Sequence, residues 1–365
     1  MATHYFSPGP ASLPGQVRER IHRELLDTFG FGVSIMEISH RSKQYDELNA
    51  ETLQLIRKVF QVPDTHSVLI TPFGAQQHFS LVVHHLSAPG DTIAYTDTGI
   101  WAHLAVEEAK ATDRKFAMIY DGQPHCLSLG NPKEWVLPKE ARYLHLTVNN
   151  TVYGTEYARI PDHFEVPLVL DMTSALGART DIPWDKTALV YASAQKNFGI
   201  AGASVVLIRN DILEASKAIT KRNQLGNALS YHSIFAAKSA LNTPPVFAIY
   251  AMNRMLQWMD ALGGTPALEK LALEKAKAVY TELDAGFYIP RCVKENRSRH
   301  NFVFKLPTPE LDEKFIKEAL DHHIYEIKGY RNVGGVRCSM YNGVSLESAL
   351  VFAEFMRDFR KRTGV

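Results

Sequence analysis

Seven short apolar runs recur through residues 68–208, each followed by a polar turn and usually by a stretch of helical patterning. They are Val68-Leu69-Ile70, Thr92-Ile93-Ala94-Tyr95, Phe116-Ala117-Met118-Ile119, Tyr143-Leu144-His145-Leu146, Leu168-Val169-Leu170, Leu189-Val190-Tyr191-Ala192 and Val205-Val206-Leu207-Ile208. Runs of this kind offer no polar face to water, so they suit strands covered on both sides. Interleaved with helices, they predict an α/β fold on a mostly parallel seven-stranded sheet.

Beyond about Thr243 the pattern becomes one of long helices. Asn242-Thr243-Pro244-Pro245 predicts a helix start, with Thr243 as N-cap and Pro244 in the first turn. Leu268, Leu271, Ala272, Ala276, Val279 and Leu283 form a stripe at helical spacing that should end near Gly286. Strand-like Phe302-Val303-Phe304, a helix over 311–320, two strands near 324–327 and 336–340 and a terminal helix complete the chain. A length of 365 residues exceeds what one core usually organises. Two domains are therefore expected: a large one over 16–259, and a small α+β one formed by 1–15 together with 260–365, with Gly263-Gly264 at the boundary.

Forty basic and 39 acidic residues leave a net charge of +1, without the field that nucleic acid or an anionic membrane requires. Neither partner is expected. Cys126, Cys292 and Cys338 are odd in number and lack CxxC spacing, which favours a reducing, cytoplasmic setting over a disulfide framework or a zinc cage. The first residues show no basic start followed by an apolar core, and no apolar run approaches the ~20 residues of a membrane span.

The chemistry begins with Lys196, in Ser193-Ala194-Gln195-Lys196-Asn197 between two buried-looking runs. An amine stripped of hydration at the mouth of an apolar sheet is suited to Schiff-base formation. Twenty-five positions upstream, Asp171 ends the run Val166-Pro167-Leu168-Val169-Leu170, at the edge where open α/β sheets bind ligands. Pyridoxal phosphate requires such a pair, a lysine for its aldehyde and a carboxylate for its ring nitrogen. Taken singly, Lys196 also reads as a snorkelling surface lysine and Asp171 as a cap or turn former.

Phe73-Gly74-Ala75-Gln76-Gln77 precedes a helical segment over 79–86 and could present free amides to a phosphate, or be an ordinary turn. Trp101 could lie over a planar ring or belong to the core. Asn149-Asn150-Thr151 could offer a hydroxyl to a cofactor or form a turn.

Together, Ser39-His40-Arg41, Trp101, Asn150-Thr151, Asp171, Gln195-Lys196-Asn197, Asn242-Thr243-Pro244-Pro245 and Gly334-Gly335-Val336-Arg337 resemble, in order and spacing, the phosphoserine aminotransferase family. These are class V aminotransferases of the PLP-dependent transferase fold type I. The resemblance runs from Phe6-Ser7-Pro8-Gly9-Pro10-Ala11 to the terminal helix. It implies that Lys196 carries pyridoxal 5'-phosphate, Asp171 meets the pyridine nitrogen, Trp101 stacks on the ring and Thr151 meets the phenolic oxygen. Ala75, Gln76 and Gln195 are implied for the phosphate, with Asn242 and Thr243 contributed by the neighbouring subunit of a homodimer. The implied substrates, glutamate and 3-phosphohydroxypyruvate, are anionic at both ends, as guanidinium groups favour. Arg337 is assigned to the α-carboxylate, and His40, Arg41 and Arg331 to the distal group. The family serves serine biosynthesis, and some members also pyridoxine biosynthesis.

Two positions depart from the pattern. Gln76 stands where relatives often carry arginine, and Tyr330 where histidine is usual; both changes remove a potential cation from the distal pocket. They keep open an aminotransferase of the same fold with a smaller or less charged acceptor. A cysteine desulfurase fits less well, because Cys338 lies in a strand-like run. A nucleotide-binding dehydrogenase is disfavoured by the absence of GxGxxG.

Overall fold

A computed structural model of the chain describes residues 3–363; Met1, Ala2, Gly364 and Val365, the outer ends of the expected small domain, lie outside the described residues. The seven predicted runs become the seven strands of one sheet, in the order His66–Thr71, Ser204–Arg209, Thr187–Ser193, Leu168–Asp171, Ala141–Thr147, Thr92–Asp97, Lys115–Asp121. Five strands pair in parallel. Ser204–Arg209 runs antiparallel to both of its neighbours.

Alternate side chains of the strands enter different cores, which is why the runs show no polar alternation. Leu69, Ile93, Val169, Leu189, Val206 and Ile208 pack against Ala75–Leu86, Ile100–Lys110 and Asn210–Arg222. Ile70, Ala94, Leu144, Leu168, Leu170, Val190 and Leu207 pack toward Lys43–Val59 and Val246–Ala261. Each such valine, leucine or isoleucine contributes about 1.5–3 kcal/mol on burial. Lys43–Val59 illustrates the local logic: the Ser42 hydroxyl accepts the Tyr45 N–H at 3.2 Å, and Tyr45, Leu48, Thr52, Ile56 and Val59 recur on the buried face.

The predicted helix after Asn242 begins two residues later than expected. Pro245 occupies the cap position before Val246–Ala261, and Thr243 makes no capping bond. Back-to-back prolines explain the shift, because each keeps the residue before it out of the helical region.

A second cluster joins Phe302, Phe304, Phe315, Val336, Phe352 and Phe359 with Phe6 from the start of the chain. Its three-stranded antiparallel sheet is Ile289–Pro290, Asn301–Lys305 and Val336–Ser339. His4–Tyr5 pairs in parallel with Ile324–Tyr325. The helix Gly264–Leu283 connects the two cores, with Leu268 in the first and Ala276, Val279 and Leu283 in the second.

A buried ionic network also crosses between these parts. Arg179 pairs with Glu156 at 2.8 Å and with Asp181 at 2.6 Å, while Arg299 reaches Glu156 at 3.0 Å and Glu269 at 2.6 Å. Burial pushes the Asp181 carboxyl up, but hydrogen bonding and charge from Arg179 outweigh it and hold it below the usual range. Arg179→Met should cost about 3–5 kcal/mol by leaving buried carboxylates unpaired, read as a lowered denaturant midpoint. A group with a depressed folded pKa stabilises above its unfolded value and loses that contribution as pH falls through the folded one. The gap between wild type and variant should therefore narrow on acidification below the ordinary carboxylate range.

Candidate active site

The carboxyl edge of the sheet opens into a cavity of about 260 Å³, and the strand ends supply its walls. Asp171 is the last residue of the central strand and is 5% exposed. Its carboxylate accepts the Thr173 backbone N–H at 2.9 Å. Burial raises its pKa, against the opposing effects of Thr173, the Lys196 charge and Tyr191. Among the described residues it forms no salt bridge, so a buried carboxylate faces the cavity without a directly bound cation.

Lys196 enters the same cavity from the turn after Thr187–Ser193. Its Nζ donates to Thr151 Oγ1 at 2.8 Å. Thr151 is held by the short hairpin in which Asn149–Asn150 pairs with Thr155–Glu156. That hairpin turns at Gly154, whose φ is +72°; a Cβ there would lie 2.9 Å from the Asn301 carbonyl oxygen, so both conformation and space call for glycine.

A third wall is the first turn of Ala75–Leu86. The Gln77 side chain accepts the Gly74 N–H at 2.9 Å, leaving the next amides directed along the helix dipole toward the cavity. Trp101, second in the helix Ile100–Lys110, supplies a flat wall, and its buried indole N–H has no partner.

Ala75, Gln76, Trp101, Thr151, Asp171, Gln195 and Lys196 thus all line one cavity. The remaining candidates do not. Arg337 lies on Val336–Ser339, half-buried, with its guanidinium 5.8 Å from the Tyr330 ring and its Nε without a partner among the described residues. Burial lowers its pKa. Arg331 is exposed; so is Arg41, next to the half-buried His40 before Lys43–Val59. Asn242 and Thr243 line a separate recess with Pro72 and Leu241.

Several contributors escaped the sequence reading. The Ala11 N–H donates to the Gln195 carbonyl at 2.8 Å, and Gly9, with φ +136°, passes so near that a Cβ would lie 3.6 Å from Lys196 Cγ. Tyr341 is fully buried with its hydroxyl 3.4 Å from Thr151 Oγ1, and Asn342 bonds the Asn197 side chain and carbonyl. Tyr341-Asn342, two residues past the end of the arginine-bearing strand, was the available signal for the last pair.

The donor set suits an anionic, planar group with a ring cation: helix amides for the anion, an aromatic wall for the plane, a carboxylate for the cation and an amine for covalent attachment. In fold and family the chain is an aminotransferase. The class-V aminotransferase family model matches residues 3–350. Curated phosphoserine aminotransferases of Desulfatibacillum aliphaticivorans and Geobacillus kaustophilus are 38% and 37% identical, over 99% and 98% of both chains. Among solved structures, the phosphoserine aminotransferase of Bacillus circulans subsp. alkalophilus superposes with a TM-score of 0.94 at 34% identity, covering 100% of this chain and 99% of that one. The PLP-bound phosphoserine aminotransferase of Trichomonas vaginalis gives 0.90 at 30% identity, covering 98% and 100%. The chain belongs to the phosphoserine aminotransferase family of class-V aminotransferases.

Proposed function

We propose that this protein is a pyridoxal-phosphate-dependent phosphoserine aminotransferase of serine biosynthesis. It moves the amino group of L-glutamate to 3-phosphohydroxypyruvate, reversibly and in ping-pong order, giving 2-oxoglutarate and O-phospho-L-serine. The observation that carries this is the convergence of Lys196, Thr151 and Asp171 on one cavity at a helix N-terminus, in a chain related over its full length to that family.

Pyridoxal phosphate supplies, when bound, an aldehyde carbon and a ring that accepts electrons from the substrate Cα. The Ala75 and Gln76 amides and the Gln195 side chain would hold its phosphate, Trp101 would flank the ring, and Asp171 would keep a proton on the pyridine nitrogen. Thr151 would orient the phenolic oxygen. The Lys196 amine would attach the cofactor and serve as the base that takes the proton from the substrate Cα. Arg337 binds the α-carboxylate, while His40, Arg41 and Arg331 serve the distal phosphate or carboxylate.

Asn242 and Thr243, placed outside this cavity, complete the phosphate site of a second copy in a homodimer. Exposed Leu26, Phe31, Met36, Leu229 and Phe235 offer apolar surface for that contact. The reading divides the chain into a large cofactor-binding domain, 16–259, and a small domain, 1–15 with 260–365, and assigns a cytoplasmic location. Among the described residues, no helix is long and apolar enough to cross a membrane.

Arg337→Met should raise the KM of both substrates by roughly 10–100-fold, the value of charged hydrogen bonds to a carboxylate, with a smaller change in kcat. Steady-state kinetics check this; unchanged KM values would remove Arg337 from the site. The reading as a whole is tested by mixing the cofactor-loaded protein separately with glutamate and with O-phospho-L-serine while the visible absorbance is followed. Rapid conversion by both supports it. Conversion by glutamate alone would favour an acceptor lacking phosphate, in line with Gln76 and Tyr330.

A further inference from the structure

Lys275 projects from the middle of Gly264–Leu283 and is 2% exposed. Its Nζ donates to three carbonyl oxygens of one turn: Met340 at 3.2 Å, Tyr341 at 2.8 Å and Val344 at 3.0 Å. Among the described residues no carboxylate pairs with it. An ammonium has three N–H groups, and this turn presents three carbonyls to them. Burial pushes the ammonium down to about 7. An apolar side chain of similar length would pack without that penalty, but would leave the three carbonyls in need of donors.

The gathered turn touches the elements on either side of Lys196. On one side the Tyr341 hydroxyl accepts from Asn301 Nδ2 at 3.2 Å and lies 3.4 Å from Thr151 Oγ1, the atom that accepts Lys196 Nζ. On the other, the Asn342 N–H donates to Asn197 Oδ1 at 3.3 Å, and its side-chain amide donates to the carbonyls of Asn197 and Gly177 at 3.2 and 3.0 Å. The Tyr341 ring centroid is 6.0 Å from Lys196 Nζ. We propose that Lys275 is a positioning residue for the reactive lysine, gathering the Met340–Val344 turn so that Tyr341 fixes Thr151 and Asn342 fixes Asn197. This rests on Lys196 as the cofactor-bearing amine.

The test compares Lys275→Met, Tyr341→Phe and the double variant, each as a full chain. In the cofactor-loaded proteins, the pH midpoint of the visible absorbance should move in the same direction in both single variants, by roughly half a pH unit or more, and little further in the double. In the cofactor-free proteins, the rate at which Lys196 is labelled by a small acylating reagent, read by peptide mass, should change in parallel. Leu268→Ala, on the same helix but away from the turn, controls for lost stability and should leave both readouts at wild-type values. The proposal is overturned if Lys275→Met lowers only the melting temperature, or if the single-variant shifts add. Should Lys275→Met not fold, Tyr341→Phe decides alone, and wild-type values in both readouts overturn the proposal. A wild-type chain whose cofactor is not fixed on Lys196 by borohydride would refute the cofactor reading instead, and the labelling rates would still report on the turn.

Discussion

Replacing Lys196 by alanine should abolish turnover while leaving the fold intact. The side chain is half-buried and, among the described residues, its one hydrogen bond runs to Thr151, so truncation leaves no large cavity and the melting temperature should stay near that of wild type. Under the proposed function the chemical loss is twofold: the covalent attachment would disappear, and so would the base at the substrate Cα. General-base catalysis alone contributes about 10²–10⁴-fold, so kcat should fall by at least that much. Borohydride should fix the cofactor on the peptide containing Lys196 in wild type and not in the variant. A near-normal rate in Lys196→Ala would sink the assignment.

Asp171→Asn should separate rate from affinity. An asparagine Oδ1 can still accept the Thr173 N–H, now received at 2.9 Å, so local geometry is preserved. What is lost is the buried negative charge that, under the proposed function, would hold a proton on the ring nitrogen. Removal of one preorganised electrostatic contact in a water-poor site typically costs about 10²–10³ in kcat. Cofactor dissociation should change much less, because the helix amides, Trp101 and the lysine linkage are untouched. Equal losses of rate and affinity would make Asp171 a structural residue.

The Lys196–Asp171 pair was legible because each follows a run whose apolarity is a local property, and strand ends in an α/β sheet converge on one edge. The same locality explains why all seven sheet strands were found. It also marks the limit. That Ser204–Arg209 reverses direction is decided by its pairing with the preceding strand Thr187–Ser193 and the distant His66–Thr71, and no feature of Val205-Val206-Leu207-Ile208 encodes it. Gly9, Ala11, Tyr341 and Asn342 reach Lys196 from opposite ends of the chain, through turns whose periodicity is silent. Roles for Arg337, Arg331, His40 and Arg41 came from the family resemblance, since an isolated arginine in a loop carries no pattern of its own.

The pairing of His4–Tyr5 with Ile324–Tyr325 sets an order of events during biosynthesis. At about 5–20 residues per second, Tyr5 leaves the ribosome tens of seconds before its partner exists. The large sheet can assemble in that interval and Ala11 can bond Gln195, yet Phe6, just before Gly9 on the same segment, packs only when the second core forms. Tyr341 and Asn342, which meet Thr151 and Asn197, are made later still, so the surroundings of Lys196 should be complete only when synthesis is nearly finished.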